Sequence, residues 1–424
     1  MDDSTALALE RGREFLELGQ LARAREAFLR VLLTDRYHPE AMLGLGEVFV
    51  AGEDFDSARV IFARMVERHP TAAAAQSALG SVLIEIGDLG GARDAFAAAL
   101  RINPAQRKAW CGLGVVFERT GDLTAADHAW RQAFHAGGPA ISRYRGDGEP
   151  VRVLLLWSAI DGNIPIRNIF DDRIFEWATL FVESYREGMA LPPHAVVFNA
   201  VGNADLPTRA LDKVEEVLQA TSAPVINHPS RVRQTGRSAI ARRLRGLPGV
   251  VTPQIAAVRR ADLLAADDLT FPVLVRSPGF HTGEHFVRVD EAQALPHAIA
   301  SLPGEELLLI EYIDTRGADG LFCKYRVLTI DGRLYPQHLA GSRDWKVHYV
   351  TAEHQVEAPT LGGDVLDALE RAAQVLGLDY GGIDFGIDAA GRAVIFEANP
   401  TMRVMPHAKD AISAAQAMIV RKAS

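Results

Sequence analysis

The sequence predicts two architectures in series: an all-α helical solenoid over residues 1–140, then an α/β (α+β) region over residues 151–424. Three observations carry this. Residues 1–140 repeat with a period of 34. Residues 151–230 alternate apolar strand patterns with helical patterns, which implies a small parallel α/β sheet. Residues 231–424 hold strand hairpins in which acidic and basic residues recur at alternating positions. A polar linker at 141–150, preceded by Gly137-Gly138-Pro139, separates the two parts.

In the first part Gly12, Gly46, Gly80 and Gly114 fall in register. So do Ala24, Ala58, Ala92 and Ala126, and Phe28, Phe62, Phe96 and Trp130. Phe15, Phe49, Leu83 and Phe117 make a further series. Turns fall at Gly19, Glu53-Asp54, Gly87-Asp88 and Gly121-Asp122. Small residues at fixed places let paired helices approach, and one pair cannot bury its own apolar face, so the units must stack. The 34-residue layout resembles tetratricopeptide repeats, four units and eight helices. That resemblance implies a groove for a peptide, a carrier protein or a second subunit. A spacer or dimerisation element is the plainer alternative. The Arg-rich face (Arg11, Arg13, Arg23, Arg25, Arg30) reads most simply as solvated helix surface.

Bulk properties narrow the function classes. The 424 residues suit two or three domains, with 23% charged and 48% apolar residues. A net charge of −9 gives no global case for nucleic acid or an anionic membrane. No apolar run is long enough for a membrane span. The acidic start, Met1-Asp-Asp-Ser-Thr, does not read as a signal peptide. Cys111 and Cys323 lie far apart without metal spacing, which suits reduced thiols and a cytoplasmic protein.

In the second part Val151–Trp157, Ala195–Asn199 and Pro224–Asn227 read as strands, with helices expected at about 171–188 and 207–220. Ligands of such sheets bind beyond the strand C-ends, where Asp161, Gly162, Asn163 and Asn199 fall.

The most informative segment is Gly381–Pro400. It reads as two strands joined by a turn at Asp388-Ala-Ala-Gly391. Glu397 and Asn399, two apart, share a face, and a hairpin can bring Asp384 beside them. Two carboxylates and an amide oxygen are hard ligands suited to Mg²⁺ held with substrate phosphates. A merely solvated hairpin is the plainer reading, but Val394, Ile395 and Phe396 are too apolar for a wholly exposed strand. Upstream, Cys323–Ile330 and Arg333–Pro336 form another expected hairpin around Asp331-Gly332. Lys324 and Arg326 share a face there, two cations suited to phosphate charge.

The order strand cation, Gly loop, apolar strand ending in Glu, paired cations, then Asp…Glu-x-Asn resembles the ATP-grasp ligases, D-alanine–D-alanine ligase-like members in particular. The likeness covers residues 151–424, with a preceding α/β domain at 151–230 and the ATP-grasp domain at 231–424. It implies ATP and Mg²⁺ as cofactors, the metal on Asp384, Glu397 and Asn399. It implies that Arg276 reaches the phosphates, where many members carry Lys, and that the loop 277–285 with Gly279, Thr282 and Gly283 folds over them. It implies an adenine hinge at Glu311, Tyr312 and Ile313, with Asp319 on the ribose. Arg237, on an expected basic helix at 234–247, joins the nucleotide set. Lys324 and Arg326 then serve both phosphate and reaction, and Arg403 and His407 face the acceptor.

Two departures stand out. Gly382 occupies the place where such ligases carry an oxyanion-supporting Arg, which leaves that role to Arg326 or Arg403. Pro400–His407 replaces a small Gly-rich loop. His338 and the polar stretch 338–345 take no assigned role. The resemblance implies a carboxylate–amine ligase acting through an acyl phosphate, with carboxylate and amine substrates, one of them delivered by a peptide or protein partner on the repeat groove. A homodimer is added by analogy with the family. A small-molecule kinase and a nucleotide-binding but inactive scaffold are the alternatives.

Overall fold

The computed structural model describes residues 3–424 apart from 18, 53, 135–138, 161, 205–208, 279–284 and 348–351. The chain divides into two compact units, Met1–Gly138 and Pro139–Ser424.

Among the described residues the first unit is a run of eight helices, from Asp3–Glu17 to Leu123–Phe134. The repeated glycines have a steric cause. A Cβ on Gly46 would lie 2.2 Å from the Phe62 ring, and one on Gly80 or Gly114 would strike Phe96 or Trp130. The same rings also reach the next repeat. Phe28 closes on both Gly12 and Gly44, and Phe96 on both Gly80 and Gly112. Each of these two rings therefore fills a glycine-lined notch within its own unit and another in the following one. Three turns share a second device: Asp54, Asp88 and Asp122 accept from the backbone N–H of Ser57, Gly91 and Ala125 at 3.0, 2.8 and 3.0 Å. These are helix N-caps, which satisfy an otherwise orphan donor. Glu53 and Gly137-Gly138 lie outside the described residues.

The second unit is an α/β region of three sheets. The five-stranded sheet runs Ala140–Ile141, Phe175–Phe181, Val151–Trp157, Val196–Asn199, Val225–Ile226. The last four of these pair in parallel, and Ala140–Ile141 joins antiparallel. The helix expected at 171–188 is not found. Phe175–Phe181 is instead a strand in full register with Val151–Trp157, followed by a short 3-10 turn at Val182–Ser184. Phe175 and Leu180 are fully buried and Ala178 nearly so. A strand buried on both faces loses the two-residue alternation, so its periodicity does not distinguish it from a helix. The second expected helix is found at Ala210–Leu218.

The six-stranded sheet runs His354–Glu357, Arg333–Ser342, Phe322–Ile330, Tyr380–Ile387, Ala393–Asn399, Val250–Val251. The four-stranded sheet runs Ile255–Arg259, Glu306–Glu311, Val273–Arg276, Phe286–Val289, all antiparallel. The basic helix spans Arg237–Leu244, shorter than the expected 234–247 because Arg233–Thr235 is a 3-10 turn.

Alternation along Tyr380–Ile387 organises this unit. Ile383 and Phe385 enter one apolar cluster with the helices Arg237–Leu244 and Gly363–Leu376. Tyr380 enters another, shared with Val153 and Phe198 of the five-stranded sheet and with Met418 of the C-terminal helix. Asn227 adds a polar joint between the two sheets. Its amide accepts from the backbone N–H groups of Asp379 and Tyr380, both at 3.0 Å, and donates to the Tyr380 carbonyl at 2.8 Å. Asn227 takes a φ of +58°, a left-handed conformation that Asn tolerates better than most residues. Asp384 faces the Tyr380 side, where the sheet opens into a cleft. Among the described residues no helix is long and apolar enough to cross a membrane.

Candidate functional site

Two β-bulges build the site. In the hairpin Tyr380–Ile387/Ala393–Asn399 the register slips between Asp384 and Phe385, so Phe385 faces Ile395 while Asp384 faces Glu397. Phe396 is the extra residue. Without the slip Asp384 would oppose Phe396, and Glu397 would turn to the other face of the sheet. A second slip between Arg326 and Val327 leaves Gln337 as the extra residue and sets Arg326 opposite His338. Arg326 is also directly opposite Asp384. The result is a transverse row across four strands, His338–Arg326–Asp384–Glu397, all on one face.

The row is tightly paired. Arg326 donates from Nε to Asp384 Oδ1 at 2.6 Å and from Nη2 to Oδ2 at 2.7 Å. Lys324 Nζ approaches Oδ2 at 2.7 Å. Arg237 Nη2 meets Glu397 Oε1 at 3.2 Å, and Asn399 Nδ2 donates to the same oxygen at 2.7 Å. Asp384 is fully buried. Burial alone would raise its pKa, but Lys324 and Arg326 outweigh it and hold the carboxyl well below the usual range. Burial opposes the charge of Arg326, yet Asp384 and Glu397 raise its pKa further. His338 is pushed down to about 4, first by burial and then by Arg326.

The row forms part of the wall of a cleft of about 570 Å³ between the four-stranded and six-stranded sheets. Arg237, Arg276, Glu311, Tyr312, Ile313, Lys324, Arg326, Asp384, Glu397, Asn399 and Arg403 all line it. At one end Pro253, Ile255, Leu274, Ile310, Val394 and Phe396 make an apolar slot beside the 311–313 segment. Glu311 Oε2 accepts from the Gln254 N–H at 2.9 Å, and Arg288 lies over the Tyr312 ring at 4.3 Å. These contacts hold the segment where it leaves its strand.

Asp319 is not in the wall. Its carboxylate accepts from the Leu321 N–H at 3.1 Å and closes its own turn. Gly279, Thr282 and Gly283, with His281, lie outside the described residues, as does Asp161. Asn163 and Asn199 are also turned to structure: Asn163 braces Ser158, and Asn199 donates to the Asn227 carbonyl at 2.8 Å. His407 lies 3.6 Å from Glu357. Met402 occupies the place of a side chain at Gly382, and its Sδ would lie 2.4 Å from a Cβ there.

Sequence reasoning leaves several wall residues unassigned: Phe286, Thr315, Phe322, His338, Trp345, Lys346 and Thr401. Trp345 meets Phe286 edge-on at 5.1 Å between centroids, and the Arg276 guanidinium lies 5.3 Å from the centre of the Phe286 ring. The isolated aromatic residues flanking the Gly-containing loop and the 338–345 stretch are the available signal.

Among the described residues no three His, Cys, Asp or Glu side chains form a metal cluster. The expected set relies on an amide as its third member. Asp384 and Glu397 face each other with hard oxygens of the kind a small divalent cation takes, but Arg326 and Lys324 already hold both Asp384 oxygens, and Arg237 and Asn399 hold Glu397 Oε1, so a cation there must displace these donors. Asn399 fits less directly: its Oδ1 already accepts from the Thr401 N–H at 2.9 Å and the Thr401 hydroxyl at 2.6 Å. It can serve a cation only when the hydroxyl turns away.

The first unit carries its own cavity, about 370 Å³, with Glu47, Glu85 and Lys108 beside apolar Leu16, Val50 and Phe62.

Comparison with known proteins gives a repeat solenoid joined to an α/β region. Residues 9–73, 48–107 and 77–140 match the tetratricopeptide repeat family, so the first unit is a tetratricopeptide-repeat array. Solved structures similar to part of the chain include the MamA protein, at 25% identity over 32% of this chain and 74% of that one, TM-score 0.29. A thermophilic repeat protein of Thermus thermophilus is similar at 22% identity over 31% of this chain and 73% of that one, TM-score 0.29. VanG D-Ala:D-Ser ligase from Enterococcus faecalis is similar at 14% identity over 65% of this chain and all of that one, TM-score 0.44. No curated protein matches the chain.

Proposed function

We propose that the second unit is an ATP-grasp-type, ADP-forming carboxylate–amine ligase. The observation that carries this reading is the single cleft in which an apolar slot and the 311–313 segment lead to the His338–Arg326–Asp384–Glu397 row. A flat apolar base fits the slot, with the backbone of 311–313 available for its edge. Asp384 and Glu397 would hold Mg²⁺, joined by Asn399 after release from Thr401. Bound there, the ion supplies charge neutralisation of the phosphate oxygens.

The protein's own contribution is positioning and electrostatics. Lys324, Arg326 and Arg276 offer cations to the triphosphate. A carboxylate oxygen of the substrate forms a bond to the γ-phosphorus, and the bond to the departing ADP oxygen breaks. The amine nitrogen then bonds to the acyl carbon, phosphate leaves with the carbon–oxygen electron pair, and the amine proton passes to phosphate or water. Met402 fills the space over Gly382. That leaves Arg403 and Arg326 to stabilise the oxyanion of the second step. The array delivers one substrate on a peptide or protein partner.

The test is ADP and phosphate release by the full chain with Mg·ATP and pooled acids and amines, followed by mass spectrometry. Condensation products with free phosphate are expected, lost in Glu397→Gln without loss of fold. A stable phosphorylated product would replace the ligase with a kinase, and unchanged turnover in Glu397→Gln would remove the metal-site assignment.

A further inference from the structure

We infer that the cleft takes a divalent cation only together with the nucleotide polyphosphate, because protein cations hold its carboxylates until phosphate oxygens draw them off, Lys324 first. This rests on the ligase reading and concerns the order in which that same site is filled.

Both carboxylates are held at more than one point. Asp384 Oδ1 accepts from Arg326 Nε at 2.6 Å, and Oδ2 meets Arg326 Nη2 and Lys324 Nζ, each at 2.7 Å. Glu397 Oε1 meets Arg237 Nη2 at 3.2 Å and Asn399 Nδ2 at 2.7 Å. Asp384 is fully buried. An incoming ion therefore competes with charged donors rather than with water.

The charge balance opposes such an ion. Lys324, Arg326 and Arg237 face Asp384 and Glu397, so this group carries one positive charge in excess. His338, next in the row, is neutral at pH 7 and does not correct it. Glu311 stands apart beside the apolar slot, where it accepts from the Gln254 N–H. A free divalent ion would add two further positive charges at close range in a poorly hydrated place. A triphosphate reverses the balance. Its oxygens pair with the cations and share the ion with the carboxylates, and Mg²⁺ is usually held in this way rather than by an all-protein cage.

Lys324 is the exchangeable partner. Arg326 grips Asp384 at two points from the directly opposite strand position. The Arg237 side chain is 10% exposed against 31% for Lys324. Lys324 reaches Oδ2 with a compact ammonium on a flexible stem, and its rotatable donors can pass from a carboxylate to a phosphate oxygen.

The experiment uses the full chain with Mn²⁺ in place of Mg²⁺, free Mn²⁺ being read from its paramagnetic resonance signal. Mn²⁺ alone should bind the parent weakly, with a Kd of about 1 mM or more. Lys324→Met should bind it about tenfold tighter or better, and Lys324→Arg should exclude it as the parent does. Glu397→Gln added to Lys324→Met should abolish the gain, which places the ion at these carboxylates. Calorimetry with a non-hydrolysable ATP analogue then measures the coupling, corrected for the Mn²⁺ complex of the analogue in solution. In the parent the ion and the analogue should raise each other's affinity by the same factor, and by a clearly smaller factor in Lys324→Met. Tight binding of Mn²⁺ alone by the parent, or equal Mn²⁺ affinity in the parent and Lys324→Met, overturns the inference. An analogue that binds neither with nor without Mn²⁺ overturns the ligase reading and the release by phosphate with it. The measurements with Mn²⁺ alone use no nucleotide and so tell the two failures apart.

Discussion

Arg326 grips both oxygens of Asp384, Nε on Oδ1 at 2.6 Å and Nη2 on Oδ2 at 2.7 Å, across two directly opposed strand positions. The carboxylate is buried, so the pair's net worth is small while the loss of either partner is not. Arg326→Ala should destabilise the chain by about 3 kcal/mol or more, because a buried charge is left with Lys324 alone. Arg326→Ala with Asp384→Ala should cost clearly less than the two single changes added together. Urea unfolding of the three variants gives the coupling, and simple additivity would show that the two charges do not depend on each other.

His338 makes stability fall with acid. Its folded pKa is depressed from 6.5 to about 4 by burial and by Arg326. Between those values the unfolded chain binds more proton than the folded one, so stability is full above 6.5 and declines as pH falls towards 4. The slope is about 1.4 kcal/mol per pH unit from this group. Asp384, held low, adds its own loss below its ordinary 3.8. His338→Gln should flatten the upper window, read from urea midpoints at pH 7 and pH 4.5. An unchanged difference would place the acid sensitivity elsewhere.

The local pattern of both units is visible in the residues, because it is written in spacing. Gly12, Gly46, Gly80 and Gly114 mark notches for Phe28, Phe62, Phe96 and Trp130, contacts within one repeat length. The hairpin bearing Asp384 and Glu397 is equally local. What spacing cannot show depends on partners far along the chain. The bulge at Phe396 decides that Asp384 faces Glu397, and only the pairing register displays it. Arg326 comes to Asp384 through a strand 58 residues away. Phe175–Phe181 has the pattern of a helix because both its faces are covered, yet it is a strand. Trp345 reaches Phe286 across the cleft, a relation that no local pattern announces.

The glycine notches make a paired prediction. A Cβ at Gly46 would sit 2.2 Å from Phe62, whereas one at Gly90 would meet only the Asp88 carboxylate at 3.8 Å. Gly46→Ala should destabilise the array by about 1–3 kcal/mol through overpacking. Gly90→Ala, in the first turn of its helix, should be neutral or stabilising by about 0.5–1 kcal/mol. Thermal melts of the two variants compare them directly. Equal melting temperatures would mean that the ring shifts freely and that the repeat spacing has another cause.

Arg276 stands at the end of strand Val273–Arg276 with its guanidinium over Phe286, and Phe286 in turn meets Trp345 edge-on. A planar guanidinium can lie along an aromatic face, while an ammonium is a compact, strongly hydrated charge without that plane. The stack therefore gives a physical reason for Arg at this position. Arg276→Lys should keep the charge but lose the fixed orientation, and weaken Mg·ATP binding by about tenfold. Trp345→Phe should retain most of the affinity, and Trp345→Ala should lose it with little change in melting temperature, because Trp345 is only half-buried. Calorimetric titration with Mg·ATP measures all three variants. Equal affinity in Arg276→Lys and the parent would mean that charge alone matters at this position and that the stack does not orient it.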